Sequence, residues 1–221
     1  TRIVLVEAGP RILAAFPEKL SNKATEALIR LGVDVRTGTK VENISGNLVS
    51  LAGGETLESC NILWAAGVMA SPAGRWLGAP TDRSGRVMVN PDLSVPGLKD
   101  VYVIGDAAHF PTADGRGLPG VAQVAIQQGQ FVGGNLRRRL SGAAERARFE
   151  YRDKGNMATI GRSSAIADIG RFEFAGFFAW LLWCFIHVAY LIGFRSRAIV
   201  MIQWAWAYIT FQRGARLITR F

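Results

Sequence analysis

Between Glu173 and Arg195 the chain runs through 21 residues, 174–194, without a charged side chain, and only His187 interrupts its apolar character. As one helix rising about 1.5 Å per residue, such a run reaches roughly 30 Å, the thickness of a bilayer core. A second run, residues 198–211, has 14 uncharged residues and is too short to span. It contains Trp204, Trp206 and Tyr208 and is followed by Arg213, Arg216 and Arg220. Hydropathy by itself favours one spanning helix over residues 174–194.

The charge divides the chain the same way. Residues 1–133 carry 12 basic and 12 acidic side chains, whereas residues 134–221 carry 14 and 5, which accounts for the whole net charge of +9. The second stretch also holds 16 aromatic residues, including four of the six tryptophans. Basic charge alone would suit nucleic acid or anionic lipid. Combined with Trp and long apolar runs it favours membrane lipids, and no nucleic-acid partner is expected. With 49% apolar and 19% charged residues, disorder is excluded. Two cysteines, Cys60 and Cys184, stand 124 positions apart, which excludes a disulfide framework, a CxxC pair and a cysteine-rich metal site. They read as buried, unreactive thiols. Two histidines, His109 and His187, leave little room for a histidine-based metal centre, and none is expected.

The first 140 residues alternate between two periodicities. Residues 1–6 are a short β-rich run ending at Glu7 and the breaker Ala8-Gly9-Pro10. Residues 17–31 read as a helix with Leu20, Ala24, Leu28 and Leu31 on one face and Gly32 as its stop. Strands are expected at 33–36, 40–44, 48–51, 61–65, 86–90 and 101–104, and a helix at 121–140. Alternation of this kind predicts an α/β domain with a largely parallel sheet. The chain starts at Thr1 with a strand already under way, without an initiator Met or signal peptide, so the expectation is the later part of a longer protein.

Three places carry chemistry. Glu7 is an acid at the end of a first strand, where a dinucleotide-binding fold accepts hydrogen bonds from the adenosine ribose and repels a 2′-phosphate. An ordinary strand-end charge is the other reading. In Val101-Tyr102-Val103-Ile104-Gly105-Asp106-Ala107-Ala108 an apolar strand ends at Gly-Asp. Gly105 allows close backbone approach, and Asp106 can hold a hydroxyl chain or merely make a turn. In Leu118-Pro119-Gly120-Val121-Ala122-Gln123-Val124-Ala125-Ile126-Gln127-Gln128-Gly129 a helix opens whose N–H groups suit an electron-rich ring edge. Gln123 and Gln127 share a face of it, and a polar face in water is the alternative.

Together these residues resemble the type II NADH:quinone oxidoreductases, the single-subunit, non-proton-pumping NADH dehydrogenases. The resemblance extends over Val6-Glu7-Ala8-Gly9-Pro10-Arg11-Ile12-Leu13, Trp64-Ala65-Ala66-Gly67-Val68, the Gly105-Asp106 segment and the glutamine helix. It continues in Lys154-Gly155-Asn156-Met157-Ala158-Thr159-Ile160-Gly161 and covers the chain from Thr1 almost to Phe221. Glutamine helix followed by Met-Ala-Thr-Ile-Gly is the specific part; Gly-Asp-Ala and Ala-Ala-Gly occur in many flavoproteins.

The resemblance implies the later part of a Rossmann-like flavoprotein with two dinucleotide-binding domains, followed by an amphipathic helical membrane anchor. Residues 1–75 complete the NADH-binding domain, 76–140 return to the FAD-binding domain, 141–170 link to a C-terminal domain, and 171–221 anchor. Glu7 meets the adenosine ribose, and the turn at Ala66 and Gly67 crosses towards the flavin. Gly105 and Asp106 hold the flavin side chain, with Val121, Ala122 and Gln123 against the ring. Gln127 lies near the quinone, and Ile126 stands where some relatives carry His. The cofactors implied are FAD and NADH, with quinone and membrane lipids as partners and a homodimer allowed. The family uses interfacial helices, which places the protein peripherally on the cytoplasmic face of the membrane, with the single spanning helix as the alternative. Hydride transfer to a flavin is cofactor chemistry, so no catalytic triad is needed. Outside this family, a sulfide:quinone oxidoreductase would need a cysteine pair at the flavin, and a membrane-tethered, flavoprotein-like scaffold would need no chemistry.

Overall fold

The computed structural model describes residues 2–112, 115–144, 147–191 and 193–211. In chain order the elements are β1 (Ile3–Val6), α1 (Glu18–Arg30), β2 (Val33–Arg36), β3 (Val41–Ser45), β4 (Leu48–Leu51) and β5 (Thr56–Glu58). There follow α2 (Ala73–Leu77), β6 (Val87–Met88), a 3-10 turn at Gly105–Ala107, β7 (Ala108–His109) and α3 (Ala122–Leu140). The chain continues with β8 (Asn156–Thr159), β9 (Ala165–Ile169), β10 (Phe172–Gly176), α4 (Phe177–Ala189) and α5 (Phe194–Ile209). These elements form two compact units, one of Thr1–Ile62 with Gly155–Phe221, the other of Leu63–Lys154.

In the first unit β1 and β2 pair in parallel, and α1 connects them. Helix α1 starts behind Pro17, carries Glu18 against its positive end and Arg30 against its negative end, and buries Leu20, Ser21, Ala24 and Ala27. Leu31, expected on that face, caps the helix with 60% of its surface exposed; Phe16 joins the core instead. The rest of this core comes from Ile12, from Ile160 just after β8, and from Ile166 of β9, a strand of an antiparallel sheet β10-β9-β8 that the hydropathy pattern did not predict. Its strands are only four or five residues long, too short for their alternation to stand out from the surrounding sequence. On Ala165 and Ala167 sits Ala179 of α4, where small side chains let a helix approach a sheet closely. A second antiparallel sheet has the order β3-β4-β5.

The second unit packs around Val87, Leu93, Val95, Val103, Phe110 and Phe131. Phe149 inserts edge-on between two rings, 5.4 Å from Phe110 and 5.6 Å from Phe131. Helix α3 contributes Val124, Gln128, Phe131 and Asn135, its buried face.

Several expectations are corrected. The sheets are not largely parallel: β1-β2 and β6-β7 are parallel pairs, and both three-stranded sheets are antiparallel. Residues 61–65 form no strand; a ladder needs a partner, none pairs with them among the described residues, and Leu63 is 94% exposed. Residues 101–104 are extended but make a single bridge, Tyr102 to Ser94, rather than a ladder. Cys60 is exposed. The uncharged run 174–194 does not form one helix, because β10 takes its start and α4 ends at Ala189. At 13 residues, α4 is about 20 Å long, and no described helix is long and apolar enough to cross a membrane. Arg213, Arg216 and Arg220 lie outside the described residues.

Candidate functional site

Two of the segments that carry the resemblance, the Gly105-Asp106 turn and the glutamine helix, meet where the 3-10 turn faces the start of α3. Gly105 has φ +65°, and a Cβ there would come 3.1 Å from the Ala125 Cβ, so turn and helix touch closely at this point. Its N–H donates to Oε1 of Gln128 at 2.7 Å. Gln128 is only 1% exposed and, with Asn135, is a polar residue on the buried face of α3. It locks the turn to the helix, since a buried N–H left unpaired costs about 1–3 kcal/mol.

Asp106 follows on the exposed side, beside Gly120, where a Cβ would lie 3.3 Å from its Oδ1. Val121 then caps α3 in an extended conformation, and the first intrahelical bonds are those of Val124 and Ala125 to the Val121 carbonyl. The N–H groups of Ala122 and Gln123 therefore precede the ladder. An exposed carboxylate that accepts from hydroxyls, beside a helix start that donates to an electron-rich edge, is the donor and acceptor set a flavin nucleotide requires. Gly105 thus lies against Ala125 of α3, and Asp106 against Gly120 just before the helix cap Val121.

The two candidate glutamines share one face of α3, as their spacing predicts, and both hold backbone. Oε1 of Gln127 accepts from the Arg152 N–H and its Nε2 donates to the Arg152 carbonyl, each at 3.0 Å. Oε1 of Gln123 accepts from the Lys154 N–H at 3.1 Å. An amide has two donors and two lone pairs, so the Gln127 pairing engages one of each.

Ala66 and Gly67 are exposed in the same unit. Glu7 belongs to the other unit, at the end of β1, where its Oε1 accepts from the Gly9 N–H at 2.7 Å. That bond curls the turn after β1 around the carboxylate.

Residue patterning did not single out a half-buried polar cluster in the second unit. Asp82 Oδ2 accepts from Arg86 Nε at 2.7 Å and lies 3.1 Å from His109 Nδ1. Its Oδ1 accepts from the N–H groups of Ser84 and Arg86. Burial pushes the Asp82 pKa up, but the Arg86 guanidinium and these N–H groups outweigh it and hold the carboxyl down at about 2. His109 is buried in β7. Nothing in the separation of 82, 86 and 109 announces the cluster, whereas Gln128 was accessible through its spacing from Val124 and Phe131.

A cleft of about 630 Å³ lies between α4 and α5, walled by Trp180, Trp183, Cys184, Trp204 and Tyr208. Trp183 stacks on Trp204 and on His187, whose Nδ1 lies 2.8 Å from the Trp183 carbonyl oxygen. Burial raises the Cys184 thiol pKa, so it is the inert thiol expected. Arg162 bonds to the carbonyls of Ala207 and Tyr208 near the end of α5, where a cation complements the helix dipole.

Residues 1–129 match the pyridine nucleotide-disulphide oxidoreductase family, and residues 154–213 match the NDH2 C-terminal domain family. Over 99% of its length the chain is 41% identical to the type II NADH:quinone oxidoreductase Ndh of Mycobacterium tuberculosis and 38% identical to NdhA of the same organism. It spans 48% of each, about half the length of these relatives. The structure of NDH2 from Plasmodium falciparum in complex with NADH superposes with a TM-score of 0.83 at 16% identity, covering 99% of this chain and 59% of that one, a likeness of fold. The chain belongs to the pyridine nucleotide-disulphide oxidoreductase family and, within it, to the type II NADH:quinone oxidoreductases.

Proposed function

We propose that this chain is part of an FAD-dependent enzyme that passes electrons from NADH to a membrane quinone without proton pumping. The observation that carries the reading is the meeting of Gly105, Asp106 and Gly120 at the start of α3. Asp106 holds hydroxyls of the flavin side chain, and the N–H groups of Ala122 and Gln123 face the ring edge. The flavin, when bound, supplies the chemistry of taking hydride from NADH and releasing electrons to the quinone. Glu7 and the turn at Ala66 and Gly67 serve the nicotinamide cofactor, Glu7 by accepting from the adenosine ribose and repelling a 2′-phosphate. On this reading residues 1–75 complete the NADH-binding domain and 76–140 the FAD-binding domain, followed by the 141–170 link and the 171–221 anchor.

Gln127, already positioned by Arg152, offers its remaining donor to a quinone carbonyl without bringing a charge into an apolar pocket. Gln123 lies between quinone and flavin. Helices α4 and α5 attach the protein peripherally to the membrane, their exposed Phe178, Phe185, Ile202 and Trp206 entering the interface and the basic residues meeting lipid headgroups. The requirement of a sulfide:quinone oxidoreductase for paired cysteines finds no support, because Cys60 and Cys184 are both free and stand 124 positions apart.

Stopped-flow measurement of the two half-reactions in the holoprotein carrying this chain tests the proposal. NADH should bleach the flavin and quinone should restore its colour. Gln127→Leu should slow the second step at least about tenfold, a loss of roughly 1.4 kcal/mol of transition-state stabilisation, and leave the first nearly unchanged. Equal slowing of both steps, or of neither, removes Gln127 from the quinone site. A wild-type protein without NADH-dependent bleaching refutes the enzyme reading altogether.

A further inference from the structure

The cluster of Asp82, Arg86 and His109 has no role in the reading above, yet one of its bonds leaves the cluster. Arg86 uses its guanidinium in three directions. Nε is held by Asp82, Nη2 lies 3.2 Å from His109 Nδ1, and Nη1 donates to the Leu118 carbonyl at 3.0 Å. Asp82 is itself fixed by two backbone N–H groups, so the plane of the guanidinium is set before the third bond is made.

The segment that receives this bond is pinned from three sides. The Leu118 N–H donates to the Phe110 carbonyl, and the Gly117 N–H donates to Thr112 Oγ1. Gly117, at φ +79°, crosses the His109 ring so closely that a Cβ would lie 2.7 Å from Cε1. Two residues further, Gly120 lies against Asp106, and one more brings Val121, the cap of α3. Three residues span at most about 10 Å, and Pro119 removes one torsion from them. The Val121 N–H bonds back to the Pro119 carbonyl, which tightens the connection further. A displacement of Leu118 therefore reaches both the start of α3 and the wall beside Asp106.

We propose that Arg86 is a positioning residue for the flavin: through the Leu118 carbonyl it sets the strap of residues 117–121 that aligns the Ala122 and Gln123 N–H groups and the Asp106 carboxylate with the cofactor. The inference rests on the flavin reading above. Arg86 touches no reacting group and acts only through the backbone it holds. Its charge serves Asp82, whereas its planar fork serves the strap, and the two roles separate on substitution. A lysine can neutralise Asp82 but carries one ammonium on a flexible stem and cannot address three acceptors in a fixed plane.

The experiment compares wild type, Arg86→Lys and Gly117→Ala in the holoprotein that carries this chain. The readouts are melting temperature, FAD dissociation constant, the visible flavin spectrum, and amide hydrogen exchange across residues 117–123 of the flavin-free protein. Arg86→Lys should keep the melting temperature close to wild type. It should nonetheless raise the FAD dissociation constant about tenfold, shift the spectrum and speed exchange in the strap about tenfold. Gly117→Ala, which pushes the strap from the opposite side, should reproduce the flavin and exchange changes. Wild-type FAD affinity and spectrum in Arg86→Lys would overturn the proposal, as would a loss of FAD that merely tracks the melting temperature, or faster exchange with unchanged FAD binding. A wild-type protein that binds no FAD would refute the underlying flavin reading and is seen separately from the variants.

Discussion

The unit of Leu63–Lys154 and the α4–α5 hairpin handle their awkward groups in opposite ways. In the former, polar groups are taken inside and paired: Gln128 with the Gly105 N–H, and Asp82 with Arg86 and His109. In α4 and α5 the apolar groups are left outside: α5 buries no residue, and Trp206 is 60% exposed. A buried, hydrogen-bonded group tolerates few positions, so it fixes geometry at the ångström level. An exposed aromatic surface fixes little and instead offers area to a surrounding medium. Precision is therefore placed where a cofactor would need it, and adhesion where a membrane would.

Substitutions should break this contrast in a definite order. Gln128→Leu should have the largest effect, costing about 2–3 kcal/mol by chemical denaturation, because it strands the Gly105 N–H in the interior. A cost under about 0.5 kcal/mol would mean the turn finds another acceptor. Asp82→Asn should cost about 2 kcal/mol at neutral pH and, more tellingly, change the acid response. The Asp82 carboxyl is held at about 2, below its ordinary value of 3.8. Its contribution is thus complete above that ordinary value and is lost as pH falls through about 2. Melting curves from pH 5 to pH 2 should fall less steeply for Asp82→Asn than for wild type, and parallel curves would remove Asp82 from the acid response.

Asp106→Ala should leave the fold intact, since the side chain is exposed, yet weaken FAD retention on gel filtration by about 1–2 kcal/mol, roughly 5- to 30-fold. Full retention would detach Asp106 from the flavin. Trp206→Ala should have the smallest effect on stability, within about 0.5 kcal/mol, while binding to anionic vesicles in flotation falls several-fold. A large loss of stability instead would show that α5 packs as core, and the contrast between the two regions would fail.

Helix α1, strand β2, strand β4 and helix α3 were legible because each satisfies its own periodicity locally, whatever surrounds it. The strands β8 to β10 were not, since such short segments form a sheet only when neighbouring strands and helices α1 and α4 complete them. Residues 61–65 illustrate the converse. Their apolar character suits a strand, yet backbone hydrogen bonds require a partner edge, and without one they form no strand and stay largely exposed.

The candidate site divides along the same line. The motif around Gly105 and Asp106, the shared face of Gln123 and Gln127, and the charge-bearing aromatic tail follow from residue types at short separations, and the sequence by itself determined them together with the family. The tertiary structure alone decided that the buried Gln128 accepts from the Gly105 N–H. It also showed that Gln123 and Gln127 clasp residues 152–154, and that Asp82, Arg86 and His109 meet beneath the strap. Those contacts join residues 23 to 32 positions apart. A pattern of residue types specifies which groups could bond, and only the closed path of the backbone specifies which of them come within 3 Å.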